Sequence, residues 1–274
     1  MADHQWTRKT QIGEGAFGRV YRVMRGEDVY AMKVLTDRRM WEREKRFLSL
    51  ADHPLFPKLV DAWEEEDGGT VTYALLMTHF WGDPLSDVLE RRGAFGQTDA
   101  VRIALAVADG LAWLQEQDGT ILFRDLKAEN LILSPDGNVH LTDFGSACFL
   151  RDAQDARTGT PGYAAPEQLE KGKETGTSGD VYAFGRLLFY LLTGEAPAMQ
   201  KGLTIRDCDP SLSACLDLLV RECTMEGQKE RLPDMYCVLE RLLEIVTASP
   251  RRYRKMEKEA EKSPEIFYEM SIRT

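Results

Sequence analysis

The hydrophobic pattern of this 274-residue chain changes period near Gly82, and that change confines it to folds that segregate strands from helices. Upstream, Thr10-Gln11-Ile12, Val20-Tyr21-Arg22-Val23 and residues 29–35 read as short strands. The glycine-rich stretch Gly13 to Gly18 joins the first two, and Arg25-Gly26-Glu27-Asp28 joins the last two, which predicts an antiparallel meander. From Asp37 to about Ala51 the period is helical, with Met40, Phe47, Leu48 and Ala51 on one face. Glu44 falls on that same apolar stripe. Two further strands are expected over 56–63 and 70–77, joined by an acidic turn, Glu64-Glu65-Glu66-Asp67-Gly68-Gly69.

Downstream of Gly82-Asp83-Pro84 the pattern predicts mainly helices. Val101, Ala104, Leu105, Ala108, Leu111 and Ala112 form a helical face behind a Thr98-Asp99 start signal. Residues 121–145 read as short strands and charged loops. Residues 181–193 are apolar nearly all round yet too short to span a bilayer, so they predict a helix buried in a domain centre. Helices near 211–223 and 233–247 close the domain, and 249–274 is expected to be a charged, solvated helix or tail.

Charge narrows the function. Residues 82–248 carry 27 acidic against 16 basic groups, and the whole chain has a net charge of −10, which disfavours nucleic acid and anionic membranes as main partners. No stretch reaches the ~18 apolar residues of a membrane span. The N-terminus lacks the basic start and apolar run of a signal peptide, so a soluble, cytoplasmic protein is expected. Cys148, Cys208, Cys215, Cys223 and Cys237 are odd in number and form no C-x-x-C, so they are read as reduced thiols. His4, His53, His79 and His140 show no metal spacing.

Three features carry chemistry. Gly13-Glu14-Gly15-Ala16-Phe17-Gly18-Arg19-Val20 has the G-x-G-x-x-G-x-V form but runs into a strand rather than a helix, so its glycines would make a hairpin tip able to lie over phosphates. Lys33 sits in an apolar strand and Glu44 on an apolar helix face. Each is awkward alone, and both are explained if they meet. The most specific segment is Phe123-Arg124-Asp125-Leu126-Lys127-Ala128-Glu129-Asn130, followed by Leu131-Ile132-Leu133 and then Leu141-Thr142-Asp143-Phe144-Gly145.

By these motifs, and by Ala165-Pro166-Glu167 further on, the chain resembles the protein kinase family from about Ile12 to Leu243. The resemblance implies an α+β, bilobal fold: a small antiparallel β-sheet lobe with one helix over 1–81, and a larger, mainly helical lobe over 82–248. It also implies ATP and Mg²⁺ or Mn²⁺ as cofactors and a protein substrate. Backbone amides between Gly13 and Gly18 would cover the ATP phosphates, and Lys33 would hold the α- and β-phosphates while paired with Glu44. Asn130 and Asp143 would ligate the metal, Asp125 would accept the substrate hydroxyl's hydrogen bond, and Lys127 would balance charge near the γ-phosphate. Val20 and Ala31 above and Ile132 below would sandwich the adenine, and Ile12 falls among the nucleotide-binding residues. Met77, with Leu76 as the alternative one residue away, would be the gatekeeper before a hinge at Thr78, His79 and Phe80.

The segment Gly159-Thr160-Pro161-Gly162-Tyr163-Ala164 and the placement of Lys127 resemble serine/threonine rather than tyrosine kinases, and the stretch Thr160 to Gln168 is similar to bacterial members. Phe123 stands where histidine is usual, and Ala128 where proline is common. In related kinases the arginine at position 124 receives an activation-loop phosphate, which makes Thr158 the candidate modified residue, while Thr160 would bridge Asp125 and Lys127 unmodified. Asp180 would bond the catalytic-loop backbone, and Glu167 would pair with Arg231. A basic substrate is expected from the acidic larger lobe and from Glu129. The rival readings are a pseudokinase scaffold, against which Lys33, Asp125, Asn130 and Asp143 all weigh, and a small-molecule kinase on the same fold.

Overall fold

The structure is a computed structural model that describes residues 6–15, 18–153, 158–199 and 202–263. In chain order its elements are β1 (Arg8–Gly15), β2 (Gly18–Arg25), β3 (Asp28–Leu35), α1 (Arg38–Leu50), β4 (Leu59–Asp67), β5 (Thr70–Thr78) and β6 (Asp83–Pro84). They continue with α2 (Leu85–Arg92), α3 (Gln97–Glu116), β7 (Ile121–Leu122), β8 (Leu131–Leu133), β9 (Val139–Leu141) and β10 (Cys148–Phe149). The remaining elements are α4 (Pro166–Leu169), α5 (Thr177–Thr193), α6 (Ile205–Cys208), α7 (Ala214–Thr224), α8 (Met235–Thr247) and α9 (Pro250–Lys262). An antiparallel N-terminal sheet with one helix, then a mainly helical region, is the α+β arrangement expected from the sequence.

The chain forms two compact units. Residues 1–84 group with 130–147, and residues 85–129 with 148–274. The first unit holds a five-stranded antiparallel sheet of order β1-β2-β3-β5-β4 and a three-stranded one of order β6-β8-β9. Period-two alternation buries Val23, Met32, Ala74 and Leu76 on one face of the larger sheet. Gly18 is required where β2 begins, because a Cβ there would lie 2.3 Å from the Val34 carbonyl oxygen of the neighbouring strand. Asp37 caps α1, its carboxylate accepting from the Arg39 and Met40 amides at 2.7 and 3.1 Å.

In the second unit α5 is the central helix. Val181, Phe184, Leu187, Leu188 and Leu191 are all 0% exposed, and α3 and α7 pack against it. Gly185 allows the close approach of α7, since a Cβ would meet Cys223 Cβ at 2.6 Å. All five cysteines are free thiols. No helix among the described residues is long and apolar enough to cross a membrane.

Several boundaries differ from the sequence reading. The acidic run is strand rather than turn: β4 continues through Asp67, and only Gly68 and Gly69 turn. As the edge strand of its sheet, β4 tolerates four successive exposed carboxylates, which also block pairing with another chain. Helix α3 begins at Gln97 behind Gly96, leaving Thr98 and Asp99 inside its first turn. Helix α5 begins four residues before Val181, at Thr177.

Within the expected 249–274 helix or tail, the described residues 249–263 are not simply solvated. Helix α9 is capped by Ser249 and docks on α7, with Ala260 buried beside Ala214 and Cys215. Glu257 accepts from Ser213 Oγ at 2.6 Å and from the Ala214 and Cys215 amides at 3.0 and 3.2 Å, satisfying the open N-terminus of α7.

Candidate active site

Within the first unit, three charged side chains converge. Lys33 projects from β3, and its Nζ lies 2.8 Å from each carboxylate oxygen of Glu44 and 2.8 Å from Asp143 Oδ1. Lys33 and Glu44 are 6% and 1% exposed, so neither charge could be sustained without the other. Burial alone would pull the Lys33 ammonium down, but the Glu44 and Asp143 carboxylates override it and hold the pKa above its ordinary value. Lys33 therefore stays charged.

Asp143 is in the left-handed region, with φ 71° and ψ 85°, and its Oδ1 also accepts from the Gly145 amide at 3.0 Å. This turn aims the carboxylate at Lys33. Phe144 beyond it is fully buried edge-on to Phe56, with ring centroids 5.2 Å apart. The Asn130 carbonyl accepts from the Thr142 amide and hydroxyl at 2.8 and 3.0 Å, which ties the turn that ends at Asn130 to the segment leading into Asp143.

Asn130 and Asp143 are hard oxygen donors. Among the described residues no cluster of three or more His, Cys, Asp or Glu could hold a metal alone. A pair of oxygen side chains fits a cation that completes its shell with waters and substrate phosphates, as Mg²⁺ does.

The other nucleotide-side candidates also lie in the first unit. Gly13 pairs with Val20 across the β1–β2 hairpin, and Glu14 pairs with Arg19 both in register and through a 3.2 Å ion pair. Gly15 pairs with Gly18 at its end, and Ile12 is exposed beside it. Ala16 and Phe17 lie outside the described residues. Ala31 is opposite Met77 in the β3–β5 ladder, and Met77 is 7% exposed. Ile132 pairs with Pro84 in the smaller sheet.

Thr78 closes β5, exchanging backbone and hydroxyl bonds of 3.0 Å with Lys58. Beyond it Phe80 stacks on His140 at 3.8 Å, and His79 lies edge-on to Trp81. Burial and the nearby Arg22 charge hold the His79 pKa below its usual value, so the ring is neutral at neutral pH.

Within the second unit Asp125, Lys127 and Thr160 form a closed ring of bonds. Thr160 Oγ1 donates to Asp125 Oδ1 at 2.8 Å and accepts from Lys127 Nζ at 2.9 Å, while Nζ lies 2.9 Å from Asp125 Oδ2. Asp180 accepts from the Phe123 and Arg124 amides at 3.0 and 2.7 Å, pinning the loop backbone beneath them. Burial raises its pKa above the usual carboxylate value although those amide bonds act in the opposite direction. Thr158 is half-buried, its amide bonded to the Gln168 carbonyl at 3.3 Å. Glu129 is exposed on the 3-10 turn Ala128–Asn130.

Two supports carry no sequence signal. Gln168 is 2% exposed and bonds both the Arg124 carbonyl and the Ala165 amide, at 3.1 and 3.0 Å. Arg43 Nη1 on α1 donates to the Gly145 carbonyl at 3.2 Å. Side-chain-to-backbone bonds of this kind depend on where the chain returns in space, which residue type alone does not report.

A sheet-borne lysine paired with a helix glutamate, in a chain with a separate aspartate–lysine–threonine ring, is the arrangement of a phosphotransferase of the kinase class. Residues 6–248 match the protein kinase domain, and the chain belongs to that family. Its members use ATP and a divalent cation.

The chain is 35% identical over 196 residues to a human putative serine/threonine-protein kinase, PRKY, covering 68% of each chain. It is 33% identical over 196 residues to the human cAMP-dependent protein kinase catalytic subunit PRKX, covering 68% of this chain and 53% of the relative. It is 32% identical over 212 residues to the Arabidopsis thaliana probable serine/threonine-protein kinase PBL12, covering 70% and 49%. The chain thus spans about two thirds of the first relative and about half of the other two. These human and plant relatives do not support the bacterial likeness of the Thr160–Gln168 stretch.

Proposed function

We propose that the chain is a serine/threonine protein kinase that transfers the ATP γ-phosphoryl group to hydroxyls of protein substrates, itself included. The observation that carries this reading is the buried Lys33–Glu44 pair, with Asp143 on the same ammonium, inside a protein kinase domain. Serine/threonine rather than tyrosine specificity is supported by the names of the relatives and by Lys127 and Thr160 together on Asp125.

In this reading Lys33, charged and oriented by Glu44, binds the α- and β-phosphates under the Gly13–Gly18 hairpin, and Ala31, Val20 and Ile132 contact the adenine. Asn130 and Asp143 would hold Mg²⁺ or Mn²⁺, which supplies charge neutralisation on the phosphates. Asp125 accepts the hydrogen bond of the acceptor hydroxyl and takes its proton as the oxygen attacks. Lys127 offsets charge on the transferred group, and Thr160 holds both side chains in register. Thr158 is the regulatory site, its phosphate received by Arg124. The substrate is basic, drawn to the acidic helical unit, and the setting is cytoplasmic, in keeping with five free thiols.

Incubating the purified chain with γ-labelled ATP, Mg²⁺ and a peptide library, followed by phosphoamino-acid analysis, tests this. Phosphoserine or phosphothreonine is expected. Phosphotyrosine alone would overturn the specificity, and no transfer with intact nucleotide binding would point to a scaffold.

A further inference from the structure

We infer that Trp41 is a positioning residue for phosphoryl transfer, acting through Glu44. This inference rests on the kinase reading of the Lys33–Glu44 pair. Trp41 and Glu44 stand three residues apart on α1, hence on one face of the helix, and both are buried.

Each reaches the sheet at a different strand. Glu44 meets Lys33 on β3 at 2.8 Å, and Trp41 Nε1 donates to the Ala74 carbonyl on β5 at 3.0 Å. In the β3–β5 ladder Lys33 is opposite Leu75 and Val34 is opposite Ala74, so the two attachment points occupy successive registers of one strand pair. These two buried bonds tie the helix to neighbouring strands, and Arg43 adds a bond from the same helix to the Gly145 carbonyl. Two bonds to the strand pair resist roll of the helix and fix its height over the sheet better than either would alone.

The indole is held in turn. It lies 5.4 Å from the Tyr73 ring, and the Lys45 ammonium sits 4.7 Å from its centroid. The Trp41 donor goes to a carbonyl of a central strand, which is itself paired on both sides, with β3 and β4. Without that donor, the Lys33–Glu44 bond, together with the Arg43–Gly145 bond, must hold Glu44 against helix roll. Lys33 would then keep Asp143 and lose Glu44 for part of the time, so the ammonium would no longer be held where the phosphates need it.

Trp41→Phe keeps an aromatic ring and removes the donor, and Trp41→His keeps a ring N–H in a smaller ring. Trp41→Phe is expected to lower kcat roughly three- to tenfold, the scale of one lost neutral hydrogen bond, with a thermal midpoint near wild type. In a Glu44→Gln background the same substitution should have no further effect, because its route is already cut. Trp41→His should retain more activity than Trp41→Phe, and Trp41→Leu, which also lacks the donor, replaces Trp41→Phe if the latter does not fold.

A second readout needs no turnover. Acylation of Lys33 by an amine-reactive reagent, followed by mass spectrometry, should speed up in Trp41→Phe as in Glu44→Gln, because an amine released from its carboxylate is more nucleophilic. Wild-type kcat and wild-type Lys33 acylation in Trp41→Phe would overturn the inference, as would an equal fold-loss in both backgrounds. If the wild type transfers no phosphate, the kinase reading fails, and Lys33 acylation still decides whether Trp41 holds Glu44.

Discussion

Arg231 grips Glu167 with both guanidinium arms, at 2.7 and 2.8 Å to the two carboxylate oxygens, with the arginine side chain fully buried. The remaining donors are also spent, on the Ser178, Met225 and Glu226 carbonyls. A buried fork this complete is stable only while its carboxylate is present. Glu167→Gln leaves a buried guanidinium uncompensated and should cost about 3–5 kcal/mol in urea unfolding. Replacing both residues with apolar ones of similar volume should recover much of that loss. A single variant as stable as wild type would mean that water reaches the arginine.

Lys33→Met and Asp143→Asn should each lower turnover by orders of magnitude, Asp143→Asn with an unfolding midpoint close to wild type and Lys33→Met with a lower one, because it strands the buried Glu44 carboxylate. Both act on positioning and charge rather than core packing. Asp125→Asn should reduce kcat without weakening nucleotide binding, because its bonds run to Thr160 and Lys127 in the other unit from Lys33. Steady-state kinetics with nucleotide titration separates the two classes. Lost nucleotide affinity in Asp125→Asn would reverse the proposed division of roles.

Glu257 gives a pH signature. Partial burial would raise its carboxyl, but hydrogen bonds from the Ser213 hydroxyl and the Ala214 and Cys215 amides override that and bring the pKa down to about 2. Because the folded value lies below the unfolded one, the stabilisation is fully present above the ordinary carboxylate range. It is lost as pH falls from about 4.5 towards about 2. Glu257→Gln removes the titration, so the stability gap between wild type and variant should close over that window. A gap independent of pH would show that the carboxylate charge does not hold α9 on α7.

The parts legible in the sequence were those with local causes. The hairpins followed from alternation and turn residues, and the Lys33–Glu44 meeting followed from two charges each placed on an apolar surface. The run Glu64 to Asp67 was misread because charge resembles a turn, whereas an exposed edge strand accepts it equally well. Glu257 was hidden in an alternating-charge helix, where nothing local distinguishes the one carboxylate that faces the amides of α7. Trp41, Arg43 and Gln168 act on backbone groups brought near only by folding. The grouping of Asn130 to Ala147 with the N-terminal strands likewise comes from long-range pairing of β6, β8 and β9.

Glu129 is the residue proposed to select the substrate. It is exposed on the 3-10 turn immediately before Asn130, and its charge raises the pKa of both Tyr163 and Tyr190 in addition to the effect of their burial. Glu90 acts on Tyr190 as well, so two exposed carboxylates face one part of the helical unit. An arginine side chain of a bound peptide would meet this negative charge and form a charge-assisted fork worth about 1.5–3 kcal/mol. Peptides with arginine two or three positions before the acceptor should therefore show a kcat/KM at least tenfold above their alanine counterparts. The advantage should shrink as salt rises. In Glu129→Ala it should fall most at one of the two positions, which identifies the residue that the carboxylate reads. A preference unchanged in Glu129→Ala but lost in Glu90→Ala would move the recognition to the neighbouring carboxylate, and equal efficiencies in the wild type would remove the basic-substrate reading altogether.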